Sequence, residues 1–326
     1  MSEQPRSSRK SAEESTGFIM FQNAPWVSTL QADRVTGLIP EAVIETLAVE
    51  EPLEIQLAFK VAADRVVKSI SVTMRTPGND CELAAGFLMT EGVIRDINDI
   101  ERISHAKLQR SPVQTDTTDQ KVISISHRSK NNVVRVDLFD DVPVTMTTLE
   151  RNFYTTSSCG ICGKASLLAL RSVCPPRSKS TFDISAEVLY KLPGRMRHAQ
   201  SVFEQTGGLH GAALFSSDGT MLGLREDIGR HNAVDKLLGQ EFLAYRTPLR
   251  EALLLLSGRA SFELLQKAVM GGISMVASVG APSSLAVTVA REFDITLLGF
   301  LRDDHFNVYH GREHVTGLIQ QSGDSK

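Results

Sequence analysis

Residues 252–300 read ALLLLSGRASFELLQKAVMGGISMVASVGAPSSLAVTVAREFDITLLGF and contain the clearest indication of the fold class. Three short apolar runs in this stretch have the length of buried strands, namely 253–256, 273–278 and 295–300. The two segments between them, 261–270 and 283–293, have the length and apolar spacing of helices. This alternating order predicts an α/β fold with a mostly parallel sheet and helices on its faces.

Each predicted strand is followed by a loop of small or polar residues, at 257–261, 279–284 and 301–305. In open α/β sheets, ligands bind outside the carboxyl ends of the strands. Hydroxyl groups at helix starts, here Ser261 and Ser283, suit phosphate oxygens, and Arg259 and Arg302 suit bidentate pairing with them. The loops therefore predict a site for a phosphate-bearing, nucleotide-like molecule, although neither a P-loop nor a G-x-G-x-x-G motif accompanies them.

A second polar segment, residues 225–236, lies between a predicted strand and a predicted helix. His231, together with Asp227, Arg230 and Asn232, offers enough donors and acceptors to hold a polar ligand. The alternative is a capped helix start with ordinary surface ion pairs.

Two thiols, Cys159 and Cys162, stand three positions apart in a stretch of small and hydroxyl-bearing residues that favours a loop. Residues Ala165 to Leu170 have the pattern of the start of a helix, so Cys162 lies near a helix N-terminus, where the backbone dipole favours a thiolate. Lys164 adds a nearby positive charge with the same effect. Such a pair suits chemistry that moves a sulfur atom or electrons.

Two other interpretations of the thiol pair stay open. A structural zinc site needs two further Cys or His ligands at short spacing, whereas Cys81 and Cys174 are isolated and no second CxxC follows. A thioredoxin-like redox pair is expected at a strand-to-helix junction of a small βαβ unit, and here Pro175 and Pro176 interrupt the chain soon afterwards.

The chain divides into four predicted segments: a disordered tail at 1–40, a β-rich portion at 41–150, the CxxC loop and a linker at 151–182, and an α/β domain at 183–326. The β-rich portion contains alternating runs at 53–57, 69–74, 122–125 and 133–138.

The β-rich portion also contains a predicted helix at 82–88, ended by Gly92. Asn79 and Glu82 have the spacing of a capping box at its start. Residues 184–205 predict a second helical region, interrupted at Pro193.

Composition limits the function classes. The chain has 326 residues and a formal net charge of −3, which favours neither a nucleic-acid binder nor a membrane-surface binder. No apolar run reaches the ~20 residues of a membrane span. Four cysteines without a paired framework indicate a reducing compartment, so we expect a cytoplasmic protein with neither membrane nor nucleic-acid partners and no structural metal.

Taken together, the motifs resemble the FdhD family, whose members are sulfur carriers required for active formate dehydrogenase. The resemblance runs from about Met74 to Tyr309 and is carried by these segments: 74–78 (MRTPG), 82–88 (ELAAGFL), 90–92 (TEG), 158–164 (SCGICGK), 206–210 (TGGLH), 226–232 (EDIGRHN), 235–236 (DK), 259–262 (RASF), 281–287 (APSSLAV), 299–300 (GF) and 306–309 (FNVY).

The resemblance implies a cytidine-deaminase-like three-layer α/β/α sandwich with an added N-terminal portion, and a homodimer. It implies that Cys159 accepts sulfur as a persulfide from a cysteine desulfurase, with Cys162 as its partner. The sulfur would pass to the molybdenum or tungsten bis-guanine-dinucleotide cofactor before insertion of that cofactor into formate dehydrogenase, and binding of a GDP-like nucleotide is implied as well. The cofactor-binding segment carries over onto Phe300, Leu301, Arg302, Asp303, Asp304 and His305.

Many relatives have glycines and an arginine where this chain has Asp303, Asp304 and His305, whereas Arg302 is retained. Three rival functions remain. A zinc deaminase needs H-x-E followed by P-C-x-x-C, but Ala212 stands at the glutamate position and the CxxC precedes His210. A thiol-disulfide oxidoreductase and a non-catalytic guanine-nucleotide-binding module are the other two.

Overall fold

The computed structural model describes residues 24–106, 132–144, 163–174 and 181–319. Its strands, in chain order, are β1 Val27–Thr36, β2 Ile39–Ala48, β3 Glu51–Val61, β4 Asp64–Arg75, β5 Ile100–His105, β6 Val133–Leu138, β7 Ile184–Ser185, β8 His210–Phe215, β9 Met221–Asp227, β10 Leu253–Leu256, β11 Met275–Ser278, β12 Thr296–Gly299, β13 Asn307–His310 and β14 Val315–Thr316. Its α-helices are α1 Asp80–Thr90, α2 Gly163–Val173, α3 Ala186–Leu189, α4 Leu192–Ala199, α5 Ser201–Thr206, α6 Arg230–Leu243, α7 Phe262–Met270 and α8 Ser284–Glu292. Among the described residues, each helix is too short or too polar to cross a membrane.

A six-stranded mixed sheet forms the centre of the C-terminal part, in the order β13-β12-β11-β10-β8-β9. Strands β10, β11 and β12 are parallel, as predicted, because α7 and α8 cross over between them. Strand β8 is antiparallel to β10, so β8 begins at the edge where β10 ends.

Helices cover both faces of this sheet. Along β8, Ala212 and Leu214 pack in one core cluster with residues of α6, α7 and α8, whereas Ala213 and Phe215 pack in a second cluster with residues of α3 and α4. This alternation follows from the two-residue period of a strand. The α/β class and the helices on both faces of the sheet are therefore confirmed. The prediction of a mostly parallel sheet is wrong, because β8, β9 and β13 pair antiparallel with their neighbours, so that three of the five pairings in this sheet are antiparallel.

The N-terminal part contains a four-stranded sheet in the order β4-β3-β6-β5. Leu53 and Ile55 of β3 belong to the same core cluster as Leu237 of α6 and Leu254 of β10. The β-rich portion therefore shares one core with the α/β portion.

Helix α1 joins these two parts through an unusually close crossing with α6. A Cβ atom built on Gly86 would lie 1.9 Å from the backbone oxygen of Asp235, and one on Gly239 would lie 1.9 Å from the backbone oxygen of Glu82. Both positions consequently require glycine, because the two helix backbones touch there.

We expect Gly239→Ala to destabilise the protein by about 1–3 kcal/mol or more, since the added methyl group would force α1 and α6 apart. Urea unfolding of the variant and the wild type measures this change. Gly194→Ala is the control, because a Cβ at that helical position meets nothing within 4 Å. An unchanged stability for Gly239→Ala would contradict the close crossing.

The prediction of a disordered tail at 1–40 is wrong from Val27 onward. Strands β1 and β2 pair over ten residues each, joined at Gly37, whose φ of 64° suits the first central position of a two-residue hairpin turn. The hairpin leaves apolar and polar side chains exposed on both faces, so the sequence lacks the alternation that marks a half-buried strand. Residues 1–23 and the predicted strand at 122–125 lie outside the described residues.

Two helix predictions also need correction. The predicted capping box is absent: Asn79 makes no side-chain cap, because its left-handed backbone, with φ 57°, differs from the extended backbone of a capping residue. The Glu82 carboxylate pairs instead with Arg225 of β9 at 2.6 Å and 2.9 Å. The predicted helical region at 184–205 is three short helices that break around Lys191 and Gln200. Pro193 lies in the first turn of α4, where backbone N–H groups make no intrahelical hydrogen bond, so a proline is tolerated there.

Candidate functional site

The carboxyl edge of β10, β11 and β12 carries the loops predicted to bind a ligand. Backbone hydrogen bonds tie these loops together beyond the strands: Gly280 donates to Gly258 at 3.0 Å, Ser283 donates to Ala260 at 2.9 Å, and Phe300 donates to Gly280 at 3.1 Å. The loops therefore form one continuous, backbone-fixed surface at this edge.

His231 and Ser261, two of the predicted site residues, are brought together on the α6–α7 side of this edge. The Nε2 atom of His231 lies 2.8 Å from Oε2 of Glu263 and 3.5 Å from Oγ of Ser261. The hydrogen bond to His231 is the largest effect that lowers the pKa of the Glu263 carboxyl below its ordinary value, whereas burial raises that pKa. Because one nitrogen contacts both partners, the group lacks the relay of a serine hydrolase, which uses both ring nitrogens.

His210 also lies at this edge, although the sequence analysis does not predict it as a binding residue. It lies on the same face of β8 as Ala212 and therefore on the α6–α7 side, and its ring is 3.4 Å from where a Cβ on Gly258 would stand. Burial, then the charges of Arg230 and His231, lower the pKa of the His210 imidazole, which favours its neutral form. His210 could have been predicted as a site residue if the antiparallel direction of β8 had been known, because that direction places the first residue of β8 at the edge where β10 ends.

The loop after β12 contains the other predicted contacts. Phe300 has φ 54°, a left-handed conformation that costs an aromatic residue energy, and its side chain is 38% exposed. Leu301 is buried, so its side chain is not available at the surface. Arg302 donates to the carbonyl oxygens of Val279 at 2.6 Å and Leu301 at 2.9 Å, which fixes its guanidinium over the neighbouring loop.

The two acidic residues of this loop have different surroundings. Asp304 lies 2.6 Å from Nδ1 of the exposed His305, and Asp303 lines an open groove whose other lining residues come from α3, α4 and the segment joining them: Glu187, Tyr190, Lys191, Gly194 and Arg195. The structure therefore divides the predicted residues into two groups at one sheet edge, with His231 and Ser261 towards α6 and α7 and Asp303 towards α3 and α4.

The two remaining predicted residues are both exposed, in the loops that follow β10 and β11. Arg259 is exposed in the loop after β10, and its backbone touches Gly280. Ser283 is exposed and caps α8, since its Oγ accepts from the backbone N–H of Ala286 at 3.1 Å.

Most of the polar residues predicted to grip a ligand beside His231 instead point into the protein. The Asp227 carboxylate is fully buried and accepts from Lys236 at 2.7 Å, Gly229 at 2.8 Å and the backbone N–H of Thr76 at 3.1 Å. Asn232 donates to the carbonyl of Met74 at 2.7 Å. That interpretation is wrong for Asp227 and Asn232, because the turn after β4 covers them and uses up their hydrogen bonds.

Cys159 and Cys162 lie outside the described residues. The predicted helix after them is confirmed, because α2 begins at Gly163, directly after Cys162. Leu170 is buried in the core, and Arg171 forms an ion pair with Glu292 of α8. The chain that follows the thiol pair is thus anchored to the α/β core within about two helical turns.

The fold and the site together define an α/β protein with a loop-built polar edge and a CxxC segment next to an anchored helix. The model of the FdhD/NarQ family matches residues 48–316, and the chain belongs to that family.

Two similar proteins are both called sulfur carrier protein FdhD. The one from Streptomyces coelicolor is 47% identical over 83% of this chain and 89% of its own length. The one from Mycolicibacterium paratuberculosis is 48% identical over 86% of this chain and 97% of its own length. A crystal structure of a putative formate dehydrogenase accessory protein from Desulfotalea psychrophila aligns over 89% of this chain and all of that one, with a TM-score of 0.63 and 21% identity, which shows a shared fold.

Proposed function

We propose that this protein is a sulfur carrier that serves formate dehydrogenase. The observation that carries the proposal is the identity of 47–48% with proteins called sulfur carriers, along nearly their whole length. The CxxC pair directly before α2 supports it, because a carrier needs a reactive, accessible thiol on a short tether.

The proposed reaction is a sulfurtransferase reaction with a cysteine persulfide intermediate. The thiolate of Cys159 attacks the outer sulfur of a persulfide on a cysteine desulfurase, and the desulfurase cysteine leaves as a thiolate. Cys162 then attacks the inner sulfur of the Cys159 persulfide. The outer sulfur leaves as hydrosulfide, the two cysteines are oxidised to a disulfide, and a dithiol reductant restores them for the next cycle.

The proposed acceptor is the molybdenum or tungsten bis-guanine-dinucleotide cofactor, which is the substrate of the reaction. The loops at the carboxyl edge support this choice, because guanidinium, imidazole and hydroxyl groups match pyrophosphate and ribose oxygens. The proposed side-chain contacts are Arg259, His231, Ser261, Ser283, Phe300 and residues 302–305, whereas the buried Leu301 offers only its backbone. A GDP-like nucleotide is the proposed simpler ligand.

Three further parts of the proposal follow from the family. We propose a homodimer that acts in the cytoplasm, where thiols stay reduced between cycles. We also propose that the six-stranded sheet is of the cytidine-deaminase type, which its mixed strand order and its two helix layers support.

Complementation tests the proposed function. A bacterial strain that lacks its own sulfur carrier makes inactive formate dehydrogenase, and we expect this chain to restore formate oxidation in cell extracts. An unrelated folded protein expressed from the same vector is the control. If the chain accumulates in folded form and formate oxidation stays absent, the proposed function is wrong.

A further inference from the structure

The imidazole of His231 uses only one of its two nitrogens inside the protein. Its Nε2 atom lies 2.8 Å from the carboxylate of Glu263, and the two side chains are 33% and 49% exposed. In the described part of the chain, the second nitrogen, Nδ1, has no hydrogen-bond partner. The protein therefore holds one ring nitrogen and leaves the other available to a ligand.

Glu263 takes part in this contact as a fixed anion. It stands in the first turn of α7, where the helix dipole favours a negative charge, and the buried Leu264 anchors that turn in the core. Its hydrogen bond with His231 lowers the pKa of its carboxyl most, burial opposes this effect, and the charges of Lys267 and Arg230 lower that pKa further. Glu263 is thus ionised near neutral pH.

Other charges lie around the ring of His231 without touching it. The titratable and charged groups of β8, β9, α6 and α7 in these surroundings are His210, Asp227, Arg230, Asp235 and Glu263. Asp227 and Asp235 each pair with a buried lysine, and the positive charge of Arg230 disfavours a charged imidazole. Among the described residues, Glu263 is the only anion within hydrogen-bond distance of the ring, so it has the strongest influence on the charge of the ring.

We propose that Glu263 is a positioning residue for nucleotide binding: it holds His231 by Nε2 and favours the charged ring, so that Nδ1 donates to a pyrophosphate oxygen. The inference rests on the proposed nucleotide ligand and adds a residue that acts on it only through the imidazole. A neutral ring that donates from Nε2 has a lone pair on Nδ1, which repels phosphate oxygens, whereas a charged ring donates from both nitrogens. The carboxylate of Glu263 thus makes the free nitrogen a donor.

A carboxylate that acts through His231 affects binding with the opposite sign to a carboxylate that only stands near the ligand. A nearby carboxylate repels a pyrophosphate, so its removal would tighten binding. Removal of a carboxylate that keeps the imidazole charged and oriented weakens binding instead. The direction of the change therefore identifies the role of Glu263.

Calorimetric titration of the full-length protein with GDP-mannose tests this inference. The pyrophosphate of this probe is linked at both ends, so it has no proton to lose near neutral pH. We expect the affinity of the wild type to fall about threefold to tenfold between about pH 6 and about pH 8, as the ring loses its proton. Glu263→Gln should weaken binding at about pH 6 by about threefold to tenfold and move the fall to lower pH. In a His231→Ala background, the same substitution should cause no further weakening.

Glu101→Gln is the matched control, because the side chain of Glu101 is 46% exposed and pairs with Arg65 at 2.6 Å in the four-stranded sheet. This variant should bind the probe as the wild type does, and urea unfolding should give both Gln variants nearly the stability of the wild type, since exposed ion pairs contribute little. A Glu263→Gln variant that binds as tightly as the wild type or more tightly, or that weakens binding equally without His231, overturns the inference. A wild type that does not bind the probe overturns it together with the proposed nucleotide site, whereas complementation tests sulfur carriage separately.

Discussion

Replacement of Cys159 by serine is expected to reduce the activation of formate dehydrogenase by about 100-fold or more, because serine cannot hold a sulfane sulfur. The variant should unfold at the same urea concentration as the wild type, since the change is isosteric. Formate oxidation in extracts of the complemented strain measures the activation, and urea unfolding measures the stability. Loss of activation at unchanged stability would assign a chemical role to this thiol.

Cys81→Ser is the matched control for the same chemical change. Cys81 lies in the first turn of α1, and burial, followed by the charges of Asp80 and Glu82, raises the pKa of its thiol and so disfavours the thiolate. This variant should activate formate dehydrogenase as the wild type does. Cys162→Ser should still accept sulfur but release it slowly, because the attacking thiol is missing. Full activation by the Cys159 variant would instead favour the rival nucleotide-binding module.

Replacement of Lys267 by methionine is expected to destabilise the protein by about 3–5 kcal/mol, because it leaves two buried carboxylates without a counter-ion. The ammonium of Lys267 lies 3.0 Å from Asp235 and 3.2 Å from Glu91, and it donates to the hydroxyl of Thr90 at 3.1 Å. All four side chains are buried where α1, α6 and α7 meet. Burial raises the pKa of both carboxyl groups, and Lys267 offsets part of that rise.

The stability lost by the Lys267 variant should increase with pH. Carboxyl groups with a raised pKa in the folded state bind more protons there than in the unfolded chain, so stability falls as pH rises through the folded pKa. Without Lys267 both pKa values rise further, and the loss of stability should be larger at about pH 8 than at about pH 5. Urea unfolding at the two pH values measures the difference.

Lys60→Met is the control for the loss of a lysine charge. Lys60 pairs with Asp140 at 2.9 Å on the surface, and both side chains are exposed. Such pairs contribute about 0–1 kcal/mol, so this variant should unfold nearly as the wild type does. A Lys267 variant as stable as the Lys60 variant would contradict the account of the buried cluster.

The sequence predicts strands best where they are buried on both faces. The run 253–256 is observed with the predicted bounds, because a strand covered on both sides appears as a continuous apolar run. The run 133–138 also has the predicted bounds, and there the polar residues Arg135 and Asp137 alternate with apolar ones. The hairpin β1–β2 is the opposite case, since the half that contains its turn is exposed on both faces and keeps no pattern that burial would impose. Helix α1 is predicted, but its contact with α6 is not, because Gly86 and Gly239 acquire their role only when the two helices meet.

The position of the site follows from the sequence, whereas the contacts of its side chains do not, because those contacts depend on how distant elements pack. The loops at the carboxyl edge follow from strand order alone. The contact of His231 with Glu263 requires α6 and α7 to lie side by side, and the burial of Asp227 requires the turn at Thr76 to cover it. A polar segment has the same composition whether its side chains meet a ligand or another part of the chain.

The most direct test of the central claim is the intact mass of the protein after incubation with a cysteine desulfurase and cysteine. We predict a gain of one sulfur atom, removable by a reductant, retained in Cys162→Ser and absent in Cys159→Ser. A wild-type mass that never changes, while the desulfurase itself carries a persulfide, would contradict the claim that this protein carries sulfur.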